Sequence, residues 1–241
     1  MLSEGELAEL GSRGFALEIV DVEDTKQLAL RDLENPALSP LTVDFLSGAM
    51  KQRFKTGTSK SEPLAKALGL RGFEHPPTVL DATAGLGTDA FIMSGMGCRV
   101  RAIEKSAAIH ALLEDGLARL RAGVWAEPWI STAARLRFER GDAVEIMKRL
   151  DQRSRTDIVY LDPMFPEESH SKSALPKRTM QIFRRLLGAG DDEAALFDAA
   201  MRAAKARVVV KRPPQAPPIS GKPTHQVEGK TARFDVYVIT R

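Results

Sequence analysis

The sequence predicts an α/β fold: a mostly parallel sheet with helices on both faces, an antiparallel hairpin at its end, and a small β-containing element before it. Three observations predict this. Short β-type runs alternate with segments of helical periodicity from about residue 78 onwards. The first of those runs enters a glycine turn, DATAGLG. The last two, HQVEGK and RFDVYVIT, follow one another without a helix between them, as a hairpin does.

Taken in order, residues 15–45 hold the β-type runs FALEIVDV and LTVDF, separated by the turn-rich ENPALSP. KQRFKTGTSK, residues 51–60, is basic and contains glycine, and is expected to be an exposed loop. SEPLAKALGL reads as a short helix with Ser61 as its N-cap and Gly69 near its end. His75-Pro76-Pro77 then breaks the chain. The expected organisation is residues 1–74 as a small N-terminal α+β region and residues 75–241 as the sheet domain.

In the sheet domain, TVLDATAG is a strand entering the turn, residues 87–96 a helix, and CRVRAIEK a second strand. SAAIHALLEDGLARLRAG is an amphipathic helix, with Ile109, Leu112, Leu113, Leu117 and Leu120 at helical spacing. RLRFERGDA, AVEIMKRL and TDIVYLDP give strand, helix, strand. DDEAALFDAAMRAAKA is a helix with an acidic first turn, as its dipole favours. RVVVKRP is a fifth strand, and the proline-rich PPQAPPISGKP leads into the hairpin.

Composition narrows the function classes. Of 241 residues, 43% are hydrophobic and 28% charged, which excludes a largely disordered chain. The single cysteine, Cys98, excludes an intrachain disulfide. The acidic start MLSEGELAEL lacks the cationic region of a secretory signal, and no apolar run approaches the roughly 18 residues of a membrane helix. A soluble cytoplasmic protein without membrane contact is expected. His110, His170 and His225 show no metal-ligand spacing, so no metal is expected. Residues 1–50 hold ten acids and three bases, a net of −7, so the rest carries +10 of the overall +3. A basic main body points towards a polyanionic partner.

Gly85, Gly87 and Ala90 fit the spacing G-x-G-x-x-A, which lets a strand-to-helix turn approach a nucleoside ligand closely. Glu104 ends the second strand, where an acid accepts hydrogen bonds from ribose hydroxyls. Dinucleotides and S-adenosylmethionine both satisfy this much. Asp81 before the glycines and Asp89 at the helix start would repel a pyrophosphate and suit a cationic methionyl amino group. Asp142, after the third strand, is placed to accept from an adenine amino group. Together these favour S-adenosylmethionine.

Asp162-Pro163-Met164-Phe165 follows the fourth strand, at the sheet edge where ligands of open α/β sheets bind. An exocyclic amino group on a base is a poor nucleophile, because its lone pair is delocalised into the ring. Hydrogen bonds from its N–H groups to the Asp162 carboxylate and to a carbonyl such as that of Pro163 would localise that lone pair. Pro163 stiffens the loop, and Phe165 offers a face on which a flipped base stacks, worth about 1–3 kcal/mol. Positioning supplies most of the help in such a transfer.

With these residues in place, DATAGLGTDAF, VYLDPMFP, KSALPKRTMQIF, RVVVKRP and RFDVYV resemble the bacterial small-subunit ribosomal RNA guanine-N2 methyltransferases. The resemblance runs from VDFLSGAM, residues 43–50, to the C-terminus. It implies the Rossmann-like class I methyltransferase fold, S-adenosylmethionine as donor, and N2 of one guanosine in 16S ribosomal RNA, free or in the small subunit, as target. By position it implies that Thr88, Asp89, Glu104, Lys105, Asp142 and Ala143 line the cofactor pocket and that Asp162 joins it to the substrate. Met164 stands where many amino-methyltransferases have a second proline.

Three basic segments are candidates for RNA contact: Lys51, Arg53, Lys55 and Lys60; Lys172, Lys177, Arg178, Arg184 and Arg185; and Lys211 with Arg212. The same Asp-Pro-x-Phe chemistry would also serve a methyltransferase of DNA bases or of a protein amide. The glycine turn alone would serve a dinucleotide-dependent oxidoreductase, and a basic body with an empty pocket would make a non-catalytic RNA-binding module.

Overall fold

The computed structural model describes residues 2–22, 24–123, 126–163, 181–186 and 192–240. Strands β4 (Thr78–Asp81), β5 (Arg99–Glu104), β6 (Leu136–Arg140), β7 (Thr156–Leu161) and β8 (Ala204–Arg212) are followed by the hairpin β9 (His225–Glu228) and β10 (Arg233–Val238). They form one seven-stranded sheet in the order β6-β5-β4-β7-β8-β10-β9. The pairs from β6 to β8 are parallel, and β10 is antiparallel to both of its neighbours. Successive strands leave β4 on one side through β5 and on the other through β7. The order therefore reverses between β4 and β7, and the crevice outside their carboxyl ends is where such sheets take ligands.

The central strands are apolar on both faces because both are covered. The two-residue alternation of a strand sends Val79, Tyr160, Val209 and Val236 into one core layer. It sends Leu80, Val159, Val208, Val210 and Tyr237 into the other. The first layer packs on α4 (Thr88–Gly95) and α5 (Ala107–Ala122). The second packs on α7 (Ala143–Lys148) and α9 (Glu193–Ala203). Helix α6 (Trp129–Arg135) precedes β6, and residues 181–186 are helical (α8).

The N-terminal region contains helix α1 (Glu4–Ser12) and an antiparallel sheet, β1 (Phe15–Val22), β2 (Thr25–Asp32) and β3 (Leu41–Thr42). Its Phe15, Leu30, Val43 and Phe45 belong to the same core layer as Phe91 and Leu112, so the hydrophobic core runs across the 74/75 boundary. Leu28 N–H donates to Asp115 Oδ2 of α5 at 3.1 Å, and the Arg119 guanidinium donates to the Val43 carbonyl. Gly116, in the middle of α5, is there because the chain at Val43 lies against it. A Cβ on Gly116 would stand 2.7 Å from the Val43 carbonyl oxygen.

Helices α1 and α6 add to the sequence reading, and other elements differ from it. KQRFKTGTSK is not a loop: helix α2 (Gly48–Gly57) covers most of it, anchored by Phe54, whose ring lies 5.3 Å from Phe91 and 4.6 Å from Trp129. One buried aromatic on an otherwise basic helix leaves little periodicity to read. Helix α3 (Pro63–Leu68) has Glu62 rather than Ser61 at its N-cap, with Pro63 opening the first turn. TKQLALRD is a strand, β2, paired antiparallel with β1 along its whole length, with only Thr25 and Lys26 exposed. The segment AKA, 204–206, belongs to β8 and not to the helix before it.

Alanine at a mid-helix glycine ordinarily stabilises by about 0.5–1 kcal/mol. At Gly116 the sign is reversed. Gly116→Ala is expected to lower the chemical-denaturation midpoint, because backbone atoms at Val43 must move to admit the methyl group.

Candidate active site

The site is assembled at the carboxyl ends of β4, β5 and β7. Asp81 is the last residue of β4 and is flanked in the sheet by Ala102 and Tyr160. The chain then turns through residues 82–87 into α4. Gly87 has φ 73°, and a Cβ there would lie 2.7 Å from Leu113 Cδ2, so the turn needs glycine for conformation and for space. Gly85 has φ 54°, and a Cβ there would make ordinary contact with Phe183 Cζ and the Thr83 carbonyl oxygen, both 3.9 Å away.

Glu104, at the end of β5, holds this turn. Its Oε2 accepts from Gly85 N–H at 3.1 Å and its Oε1 from Ser106 N–H at 2.7 Å. Thr83 ties the turn to β7: its Oγ1 accepts from Asp162 N–H at 2.7 Å and donates to Asp81 Oδ1 at 3.3 Å. Asp142 caps α7 through Val144 N–H and Glu145 N–H, with Lys105 Nζ 3.6 Å from its Oδ2.

A charged network crosses the crevice. Lys211 Nζ, from β8, lies 2.7 Å from Asp89 Oδ2 and 2.8 Å from Asp162 Oδ2. The Tyr160 hydroxyl donates to Asp89 Oδ2 at 2.7 Å, and Arg53 Nη2 lies 2.9 Å from Asp89 Oδ1. Burial would raise the Asp89 carboxyl, but Lys211, Tyr160 and Arg53 outweigh it and hold Asp89 below the ordinary carboxylate range. Asp162 has fewer partners: desolvation, with the negative charge of Asp89, lifts its carboxyl above the ordinary range against the pull of Lys211. The two acids outweigh the burial of Lys211, so it is a firmly held ammonium. Asp81 is different again. Burial pushes it up to about 7, Asp89 and Asp162 add repulsion, and only the Thr83 hydrogen bonds oppose this.

Residues 7–239 match the family described as "Putative SAM-dependent methyltransferase". The chain belongs to this family of SAM-dependent methyltransferases. It is 43% identical to the "Ribosomal RNA small subunit methyltransferase J" of Thioalkalivibrio sulfidiphilus, over 95% of this chain and 88% of the relative. It is 46% identical to the protein of the same name from Nitrosococcus oceani, over 86% of this chain and 80% of the relative. Among solved structures, a SAM-dependent methyltransferase from Neisseria gonorrhoeae superposes with a TM-score of 0.67 at 38% identity, covering 88% of this chain and 79% of that one.

The residues of this methyltransferase fit S-adenosylmethionine, its donor. Three carboxylates, Asp81, Asp89 and Asp162, surround the turn, and the lysine between two of them is fully engaged. Among the described residues no cationic side chain pairs with Asp81, which is 1% exposed. When ionised, such a carboxyl beside the Gly85 turn suits a cationic ligand and would repel a pyrophosphate. Asp81 and Glu104 end the neighbouring strands β4 and β5, and Asp142 with Ala143 borders the same edge.

The structure brings Asp81, Gly85, Gly87, Thr88, Asp89, Glu104, Asp142, Ala143, Asp162 and Pro163 to one sheet edge. Phe165, Lys172, Lys177 and Arg178 lie outside the described residues. Three of the basic residues expected at RNA are engaged within the chain. Lys211 is not a free rim cation but the bridge between Asp89 and Asp162. Arg212, one residue on, points through the opposite face of the sheet. It is 5% exposed, donates to the Pro217 carbonyl at 2.9 Å and pairs with Glu193. Arg185 likewise pairs with Asp32 and Glu34 and lies over the Phe15 ring, within the N-terminal contact. Thr83 and Tyr160 are additions to the expected site, and Arg53, expected among the RNA contacts, pairs with Asp89. A tyrosine among the aliphatic residues of a buried strand was a readable sign that its hydroxyl has a partner; Thr83 gave none.

Asp81 sets a pH dependence. In the folded chain it keeps its proton up to about 7, whereas the unfolded chain releases it near about 4. The native state binds more protons between these values, so this group's contribution to stability falls as pH rises through that window. Asp81→Asn is therefore expected to gain thermal stability relative to the parent, increasingly from pH 4 to 7 and constantly above, measured without ligand.

Proposed function

We propose that this chain transfers a methyl group from S-adenosylmethionine to the exocyclic N2 of one guanosine in 16S ribosomal RNA, free or within the small subunit. The observation that carries the reading is Asp162: a half-exposed carboxylate one strand from the donor turn, with its main chain fixed by Thr83 and one of its oxygens fixed by Lys211. The relatives named for small-subunit ribosomal RNA support the substrate, at 43–46% identity over most of the chain.

The donor supplies an electrophilic methyl group. The chain's own contribution is to make the target amine nucleophilic and to hold it still. Asp162 Oδ1 accepts one amine N–H and the Pro163 carbonyl the other, which localises the nitrogen lone pair. Asp162 then takes the proton that the amine loses. Its carboxyl, raised above the ordinary range, is better matched to that proton than a free aspartate. Thr88, Asp89, Lys105 and Ala143 complete the wall of the donor pocket. Phe165 stacks on the flipped base, and Lys172, Lys177 and Arg178 neutralise phosphates beside it. Residues 75–241 form the catalytic domain, and residues 1–74 buttress it through α5. The protein works in the cytoplasm, where ribosomal RNA is made and assembled.

Two experiments test the reading. Mass-spectrometric mapping of ribosomal RNA from cells with and without the gene is expected to show one N2-methylguanosine lost from 16S RNA. Intact 16S methylation with a change in DNA or protein methylation instead would overturn the substrate. Asp162→Ala is expected to keep donor binding by calorimetry and to lose methyl transfer by about 10²–10³-fold.

A further inference from the structure

A lysine that serves RNA phosphates must present its ammonium to solvent. Lys211 does not: its side chain is 24% exposed, and its Nζ is placed between two carboxylates at 2.7 and 2.8 Å. Both contacts are with the Oδ2 atoms, of Asp89 on one side and Asp162 on the other. The Asp89 end is rigid. Its Oδ2 also accepts from the fully buried Tyr160, its Oδ1 pairs with Arg53, and it sits in the first turn of α4, beside the donor turn. Asp162 has no such frame. Among the described residues, what holds it apart from Lys211 is its backbone N–H on Thr83.

We infer that Lys211 is a positioning residue of the methyl transfer: it pins Asp162 Oδ2 to the start of α4, and so leaves Oδ1 as the acceptor for the target amine. The inference rests on the role given to Asp162 above. A carboxylate with two equivalent oxygens and a free χ1 samples several orientations. Fastening one oxygen to the Lys211 ammonium, itself paired with Asp89 in the first turn of α4, reduces these to one. The same ammonium offsets the repulsion between Asp89 and Asp162. Among the described residues, the charged and titratable groups facing Asp162 are Asp81 from β4, Asp89 from α4, Tyr160 from β7, Lys211 from β8 and Arg53 from α2. With Lys211 removed, the balance among them shifts towards negative charge, and Asp162 holds its proton to higher pH.

The test compares Lys211→Met and Lys211→Arg with the parent, using the full chain. Three quantities are read: kcat and KM on 16S RNA, donor affinity by calorimetry, and the Asp162 carboxyl midpoint by carbon-13 NMR without ligand. For Lys211→Met, kcat is expected to fall about 10²-fold with KM for RNA changed less than about threefold. The Asp162 midpoint is expected to rise, and the acid limb of the kcat profile to rise with it. Lys211→Arg, which keeps a cation at the bridge, is expected to restore the midpoint and most of kcat. A raised KM with unchanged kcat would make Lys211 a phosphate contact and overturn the inference. An unmoved midpoint with unchanged kcat would reduce the bridge to a structural ion pair, with the same consequence. If Lys211→Met does not fold, Lys211→Gln, which keeps one N–H donor pair, is read by the same titration. Failure of the parent chain to methylate 16S RNA would sink the proposed substrate instead, and the ligand-free midpoints would still decide whether Lys211 governs Asp162.

Discussion

Three aspartates meet at the carboxyl edge of β4 and β7, and one ammonium lies among them. Lys211 binds Asp89 and Asp162 with a single nitrogen, and the rest of the site is arranged around that fact. Without a cation there, two like charges would face each other in a partly desolvated crevice, and one would take up a proton. With it, the like charges of Asp89 and Asp162 are offset, and among the described residues no cationic side chain pairs with the third acid, Asp81. The acid-rich edge suits a cationic donor. In the proposed reaction, Asp162 Oδ1 is the acceptor for the amine. A pyrophosphate-binding turn of similar glycine spacing would need the reverse polarity.

The sheet makes this arrangement possible through parity and topology. The reversal of strand order between β4 and β7 opens the crevice, and Thr83 bridges it through Asp162. Strand alternation along β8 sends Val209 and Lys211 to the face of α4, and Val210 and Arg212 to the face of α9. Two adjacent basic residues therefore do unrelated work: Lys211 bridges the site acids, and Arg212 fastens the proline-rich loop and the start of α9. The N-terminal sheet supports the same layer from outside, closely enough that α5 must present a glycine to it.

Much of this was legible in the sequence because it is local. The glycine turn, the acids at the ends of β4 and β5, the amphipathic α5 and the terminal hairpin each announce themselves within a few residues. What was not legible depends on contacts between distant segments. Lys211 reads as a surface base because its partners lie 49 and 122 residues away. Arg53 reads as part of an exposed basic loop because the helix that carries it is held by one aromatic, Phe54, against Phe91 and Trp129. Asp89 reads as a ligand for the cofactor, yet both of its oxygens are taken by side chains of this chain. The chemistry of the site was visible in its residue types, and the division of labour among them was not.

The central claim is that the acid-rich turn receives the donor while Lys211 keeps Asp162 facing the amine. A crystal structure of the chain with S-adenosylhomocysteine tests it most directly. The account predicts the ligand's amino group against Asp81, its ribose on Glu104, and Lys211 still bridging Asp89 and Asp162 beside the sulfur. A ligand seated away from the β4–β7 edge, or a Lys211 swung out to solvent when the ligand binds, would contradict it.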